Sequence, residues 1–252
     1  MGTTFKLRHV FHDAWFATKG IKRKFWPAII TLIMINALAI MMLERWYHLP
    51  FYSLPYAVQF YLCPMISGFL TAPLLAGLCF TAVLRARHEE ISLTTPFLGY
   101  CKIFSIAVTW FILSILSDFL WNLLHFSAFS DLLSYSKMRM ITICFSMIVS
   151  ALLLFALPLI LDKDFKPLTA LVISFQYCRR FFGKIIGTFL ICYVIIAIII
   201  FALGIGTIHA HTSMAPAVVL IIVIAIWFIP FLFMLYGVLY HRIVDAVNSN
   251  KA

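Results

Sequence analysis

The chain has 252 residues, of which 64% are hydrophobic and 11% charged, against roughly a quarter charged in a soluble domain. With 25 Phe and only 10 Gly and 10 Pro, this balance excludes a water-soluble globule, a disordered tail, a collagen-like repeat and a disulfide-dense secreted module. A formal net charge of +10 on so apolar a chain indicates an integral membrane protein whose charge is set by topology, and not a nucleic-acid binder.

Residues 1–24 hold the first element. Phe5, Leu7, Val10, Phe11, Ala14 and Trp15 recur at three- and four-residue spacing, and Lys6, Arg8, His9, His12, Asp13 and Lys19 take the other face. That pattern predicts an amphipathic helix lying on the membrane. A helix needs about 20 apolar residues to cross a hydrocarbon core of about 30 Å. Stretches of that length free of Lys, Arg and Glu predict six spans, at about 25–43, 65–84, 103–124, 140–161, 185–207 and 217–240, with a tail over 241–252. The A-x-A pattern at Ala37, Leu38 and Ala39 does not mark a cleavage site, because the apolar run continues beyond it to Leu43. The aromatic stretch Phe51–Leu62 reads as an interfacial segment, and Pro73 is expected to bend the second span. Thr95 reads as the N-cap of a short helix that opens at Pro96 and leads into the third span. Before the fifth span, Leu168, Leu171, Phe175, Cys178 and Phe182 form the stripe of a second surface helix opening at Pro167. Gly183 and Gly187 then have the spacing of close helix packing.

The predicted fold is all-α. A single membrane domain over 1–252 forms a bundle of six transmembrane helices, built as three repeats of a cytoplasmic amphipathic helix plus a transmembrane hairpin. Of the 19 Lys and Arg, all but Arg45, Lys137 and Arg139 fall on the N-terminal segment, the two long loops and the tail. By the positive-inside rule both termini are therefore cytoplasmic.

Two stretches carry a family resemblance: PLLAGLCFTAVLRARHEEISLTTPFLGY, from Pro73 to Tyr100, and PLILDKDFKPLTALVISFQYCRR, from Pro158 to Arg180. In both, a Pro-bearing span ends in a charged cytoplasmic turn followed by a short helix. In the second, Asp162, Pro167, Ala170, Leu171 and Ser174 match the family's aspartate, its surface-helix opening and its Ala-Leu-x-x-Ser spacing. The chain thus resembles the bacterial YciC-like inner-membrane proteins and the membrane domain fused to some glycerophosphoryl diester phosphodiesterases. The resemblance implies six helices in a bacterial inner membrane and brings no activity with it.

The candidate chemistry is sparse. Asp118 is the one carboxylate inside a predicted span, near Trp121, Asn122 and His125, and intramembrane carboxylates are candidates for proton or ion work. A small shift of the span boundary would instead place it at the outer interface. His209 and His211 give two ligands where zinc takes three or four, so no metal site is expected. The six Cys form no C-x-x-C pair and read as packing residues. There is no G-x-S-x-G, H-E-x-x-H or phosphate loop, and no cofactor is implied.

The clusters Lys22, Arg23, Lys24 and Arg179, Arg180, Lys184 lie at the hydrocarbon boundary, where anionic phospholipid is the first partner. Arg85, Arg87, Glu89 and Glu90 in one turn and Asp162, Asp164, Lys166, Arg179 and Arg180 in the other are mixed charges, suited to pairing across repeats, Glu89 or Glu90 with Arg179 or Arg180, or to holding a lipid headgroup; pairing is the preferred reading. The functional expectation is a non-enzymatic accessory or scaffold protein that binds anionic lipid and serves another membrane component. A carrier for a lipid or small apolar solute is the alternative, and an intramembrane enzyme is third. Oligomeric state stays open.

Overall fold

Hydrocarbon offers no partner to a peptide group, so a chain of this composition must satisfy its backbone within helices, and every regular element described is helical. The structure is a computed structural model that describes residues 6–47, 56–126, 135–210 and 215–245. Helix α1 (Leu7–Thr18) precedes α2 (Lys22–Tyr47) and α3 (Tyr56–Ala86). A 3-10 helix (Thr95–Lys102) runs straight into α4 (Ile103–Phe126). Then come α5 (Tyr135–Leu152), α6 (Ala156–Lys163), α7 (Pro167–Arg180), α8 (Phe182–Ala210) and α9 (Ala215–Tyr240), which ends in a π-helical turn over His241–Asp245. Among the described residues, four helical stretches are long and apolar enough to cross a membrane: Gly68–Ala86, Thr95–Leu116, Met140–Lys163 and Ile226–Asp245. Large apolar side chains stand exposed along α2, α4 and α8, including Ile33, Phe104 and Leu190, as a lipid-facing surface requires.

The last turns of α3 form the centre of the packing. Ala72, Leu74, Ala76, Leu78, Ala82 and Val83 are buried, enclosed by the 3-10 helix, α2, α4, α6 and α9. Small residues permit the approach. A Cβ on Gly77 would run into the Pro96 carbonyl, one on Gly99 into the Pro73 carbonyl, and one on Gly237 into the Ala82 carbonyl. Backbone therefore rests on backbone at three points in two crossings, α3 with the 3-10 helix and α3 with α9, the geometry that small-residue interfaces give to membrane helices. The spacing of Gly183 and Gly187 does not produce such a crossing: nothing stands near Gly183, and Gly187 makes an ordinary contact with Leu7.

Three local expectations are corrected. Residues 56–62 are not a separate interfacial piece, because α3 runs unbroken from Tyr56 to Ala86; Phe51–Pro55 lie outside the described residues. In the turn before Pro73, Tyr100 of the 3-10 helix donates its hydroxyl to the Leu70 carbonyl (2.9 Å), tying that helix to α3. Thr95 is the first residue of the 3-10 helix and not its cap; its hydroxyl accepts the Ser92 N–H at 3.0 Å, closing the loop before the helix. Finally, the fourth predicted span lies within the crossing-length stretch Met140–Lys163 but is made of two helices and not one. Pro158 has no N–H, so the carbonyl four residues earlier, that of Leu154, is left without a helical donor, and α5 stops at Leu152. Tyr236 of α9 donates its hydroxyl to that carbonyl at 2.7 Å. Ser174 of α7 accepts the Phe155 N–H at 3.1 Å and donates to the Leu152 carbonyl at 3.4 Å.

Helix α1 docks on protein as well as offering an apolar face outward. Val10, Ala14 and Thr18 are buried, and the rings of Phe11 and Trp15 each lie 6.2 Å from that of Phe231 on α9. Arg85 donates to the carbonyls of Ala17 (3.3 Å) and Lys19 (3.1 Å), satisfying backbone at the C-terminal end of α1. In α7 the buried face is Ala170, Leu171, Ser174 and Cys178, whereas Leu168 and Phe175 of the expected stripe face outward.

Candidate functional site

The ends of α3, α6 and α9 meet at one end of the bundle, and the ionic residues gather there. The chain leaves α3 through a left-handed residue, His88 (φ 61°). The N–H of Glu89 bonds back to the Leu84 carbonyl (2.9 Å) and that of His88 to the Arg85 carbonyl (3.1 Å), the paired closure of a Schellman turn. This reversal turns Arg87 toward α6 and α9 and leaves Glu89 and Glu90 exposed.

Arg87 is clasped by two carboxylates. Its Nη1 and Nη2 donate to Oδ1 and Oδ2 of Asp162 at 2.7 and 2.9 Å. Its Nε and Nη2 donate to Oδ2 and Oδ1 of Asp245 at 2.8 and 2.7 Å. Both pairs are bidentate, the strongest geometry a guanidinium offers a carboxylate. Tyr240 donates its hydroxyl to Asp162 Oδ2 (2.8 Å), and His241 Nδ1 lies 2.8 Å from Asp245 Oδ2. Lys163 Nζ stands 3.6 Å from Asp162, so two cations face two anions. The Arg87 and Asp162 side chains are only 15% and 7% exposed. Hydrogen bonding to Asp162, opposed by burial and reinforced by Asp245, holds the Arg87 guanidinium above its ordinary range. Within the cluster the Asp162 carboxylate takes three hydrogen bonds and the guanidinium spends four on aspartates, while the His241 ring, engaged through Nδ1, is 45% exposed. Its chemistry is that of a clasp joining three helix ends.

A second clasp ties α1 to the turn after α9, where Arg242 pairs with Asp13. Burial alone would raise the Asp13 carboxyl, but hydrogen bonds from Arg242 and His12, with their charges, bring it below its ordinary value of 3.8. Lys24 donates to the Ile91 carbonyl (2.6 Å), and Lys102 bridges the Ile160 carbonyl and Asp164, a left-handed residue (φ 57°) that ends α6.

Arg87 and Asp162, one from each charged turn, thus come together. Glu89 and Glu90 do not meet Arg179 or Arg180: all four are exposed and join none of the ion pairs among the described residues. Arg23 is likewise exposed, Lys22 has its ammonium over the Trp227 ring, and Lys184 lies 5.9 Å from the Phe181 ring. The Asp118 and His209 side chains and the whole of His211 lie outside the described residues. Tyr240 and Asp245 were not singled out from sequence, and Asp13 and Ser174 entered only as a polar-face residue and as part of the family spacing. The pairing of His241 with Asp245 four residues later, just past an apolar span, is the signal that could have marked the tail as structured. Comparison with family models, with curated proteins and with solved structures finds no match.

Proposed function

We propose that this chain is a non-enzymatic, six-span bacterial inner-membrane protein of the YciC-like type, with both termini cytoplasmic and three helix-plus-hairpin repeats. Its basic end binds anionic phospholipid, and it serves another membrane component as an accessory or scaffold. The supporting observation is the division of labour among the charges: Arg87, Asp162, Asp245, Asp13 and Arg242 are spent on clasps, while Arg23, Arg179 and Arg180 stand exposed without a carboxylate partner among the described residues. Each cation near an anionic leaflet contributes about 1 kcal/mol. The carrier alternative would place polar, unsatisfied backbone at a broken helix. The break between α5 and α6 favours packing instead, since Ser174 and Tyr236 engage its freed groups. The test is binding of the detergent-purified protein to vesicles of phosphatidylglycerol and of phosphatidylcholine. Preference for the anionic vesicles, weakened by salt, is expected; equal binding to both would refute the reading.

A further inference from the structure

A groove of about 320 Å³ opens where α1 turns into α2, walled by Trp15 on one side and by Trp227 of α9 on the other. Its rim carries Lys19, Lys22 and Arg23, and among the described residues no acidic side chain lines it. Gly20, at φ +81°, makes the reversal between the helices, and nothing lies within 4 Å of where its Cβ would be, so the mouth stays open. The ammonium of Lys22 sits over the Trp227 ring, a ring 55% exposed, and the Lys19 ammonium lies 4.5 Å from the Phe16 ring. Cations held on aromatic faces keep their N–H donors for an anion, and the nearest carboxylate on α1, Asp13, is committed to Arg242. Among the described residues, the three cations therefore have no counter-charge within the groove.

What lies beyond the groove distinguishes a lipid from a small free anion. Arg23, Pro27, Ile30 and Met34 share one stripe of α2 at helical spacing, and all four are exposed. Ile30 and Met34 lie about 10 and 16 Å along the axis from Arg23. A molecule with an anionic head and an apolar tail matches a cationic mouth followed by that track.

We infer that this groove is a binding site for a single anionic phospholipid, its phosphate held by Lys19, Lys22 and Arg23 and its acyl chain laid against Trp227 and the Ile30–Met34 stripe. The inference rests on the lipid-binding reading of the basic end and narrows it to one site. Native mass spectrometry of the full chain in mild detergent, titrated with dioleoyl-phosphatidylglycerol or dioleoyl-phosphatidylcholine, tests both. The parent should hold one phosphatidylglycerol in preference to phosphatidylcholine. K19Q/K22Q/R23Q should weaken that first lipid by about ten- to a hundredfold, W227L should shorten its retention, and K137Q, at an exposed lysine of α5, should leave it unchanged. K19Q/R23Q, which keeps Lys22 on Trp227, gives the same test if the triple variant melts early. If the parent prefers phosphatidylglycerol but the groove variants keep it, the site is wrong and the wider reading survives. If the parent shows no preference, both fall.

Discussion

Replacing Arg87 with Leu removes the guanidinium that pairs with both Asp162 and Asp245, leaving a 7%-exposed carboxylate opposite a second one, with Lys163 3.6 Å from the first and the His241 ring 2.8 Å from the second. Breaking a buried ion pair by removing one partner costs about 3–5 kcal/mol, because the remaining charge stays desolvated. For a chain of this size 1 kcal/mol corresponds to about 2–4 °C of melting temperature, so a fall of about 10 °C is expected in detergent. Adding Asp162→Asn and Asp245→Asn to the same protein neutralises the stranded charges and should recover part of the loss. Arg87→Lys should fall between, since it keeps the charge and loses both bidentate pairs. Fluorescence-detected size exclusion after heating reads all of these. If Arg87→Leu melts within about 1 °C of the parent, the clasp does not hold the three helix ends and the reasoning fails.

Three further predictions concern the packing. Ser174→Ala leaves the buried Phe155 N–H without its acceptor and should cost about 1–3 kcal/mol by the same melting assay, whereas a shift below about 1 °C would show that the helix break does not depend on it. Gly77→Ala or Gly99→Ala should prevent a monodisperse protein, because each Cβ meets a backbone carbonyl, while Gly183→Ala, with open space around it, should be silent; equal behaviour would place the close crossings elsewhere. The Asp13 carboxyl is depressed in the folded chain, so its contribution is fully present above its unfolded value, about pH 4, and is lost as pH falls through the lower folded value. The stability difference between parent and Asp13→Asn should therefore be constant at neutral pH and vanish in acid; a difference that grows in acid would contradict the pairing with Arg242.

Much of the frame was legible because it follows from local rules. The extent of the apolar runs, the three- and four-residue spacing of Val10 and Ala14 and the proline that opens α7 each depend on a few neighbouring residues. Partner choice does not. Arg87 stands next to Glu89 and Glu90 in sequence, yet a left-handed residue at His88 turns it away from them toward Asp162, seventy-five positions on, and Asp245. Pro158 announces a freed carbonyl at Leu154, but that Tyr236 and Ser174 would serve the break is decided by how α7 and α9 pack. The glycine contacts failed for a similar reason: spacing marks small faces, and only the crossings of α3 with the 3-10 helix and with α9 decide which of them meets a carbonyl.

The central claim is that the ionic residues fall into two sets, one holding helices together and one facing lipid. Melting the parent, Arg87→Leu and the Arg23→Gln, Arg179→Gln, Arg180→Gln triple variant with and without phosphatidylglycerol tests it in one experiment. Arg87→Leu should melt early yet still gain stability from the lipid, and the triple variant should melt like the parent without lipid and gain less from it. Loss of lipid stabilisation in Arg87→Leu alone, with the triple variant gaining as much as the parent, would contradict the account.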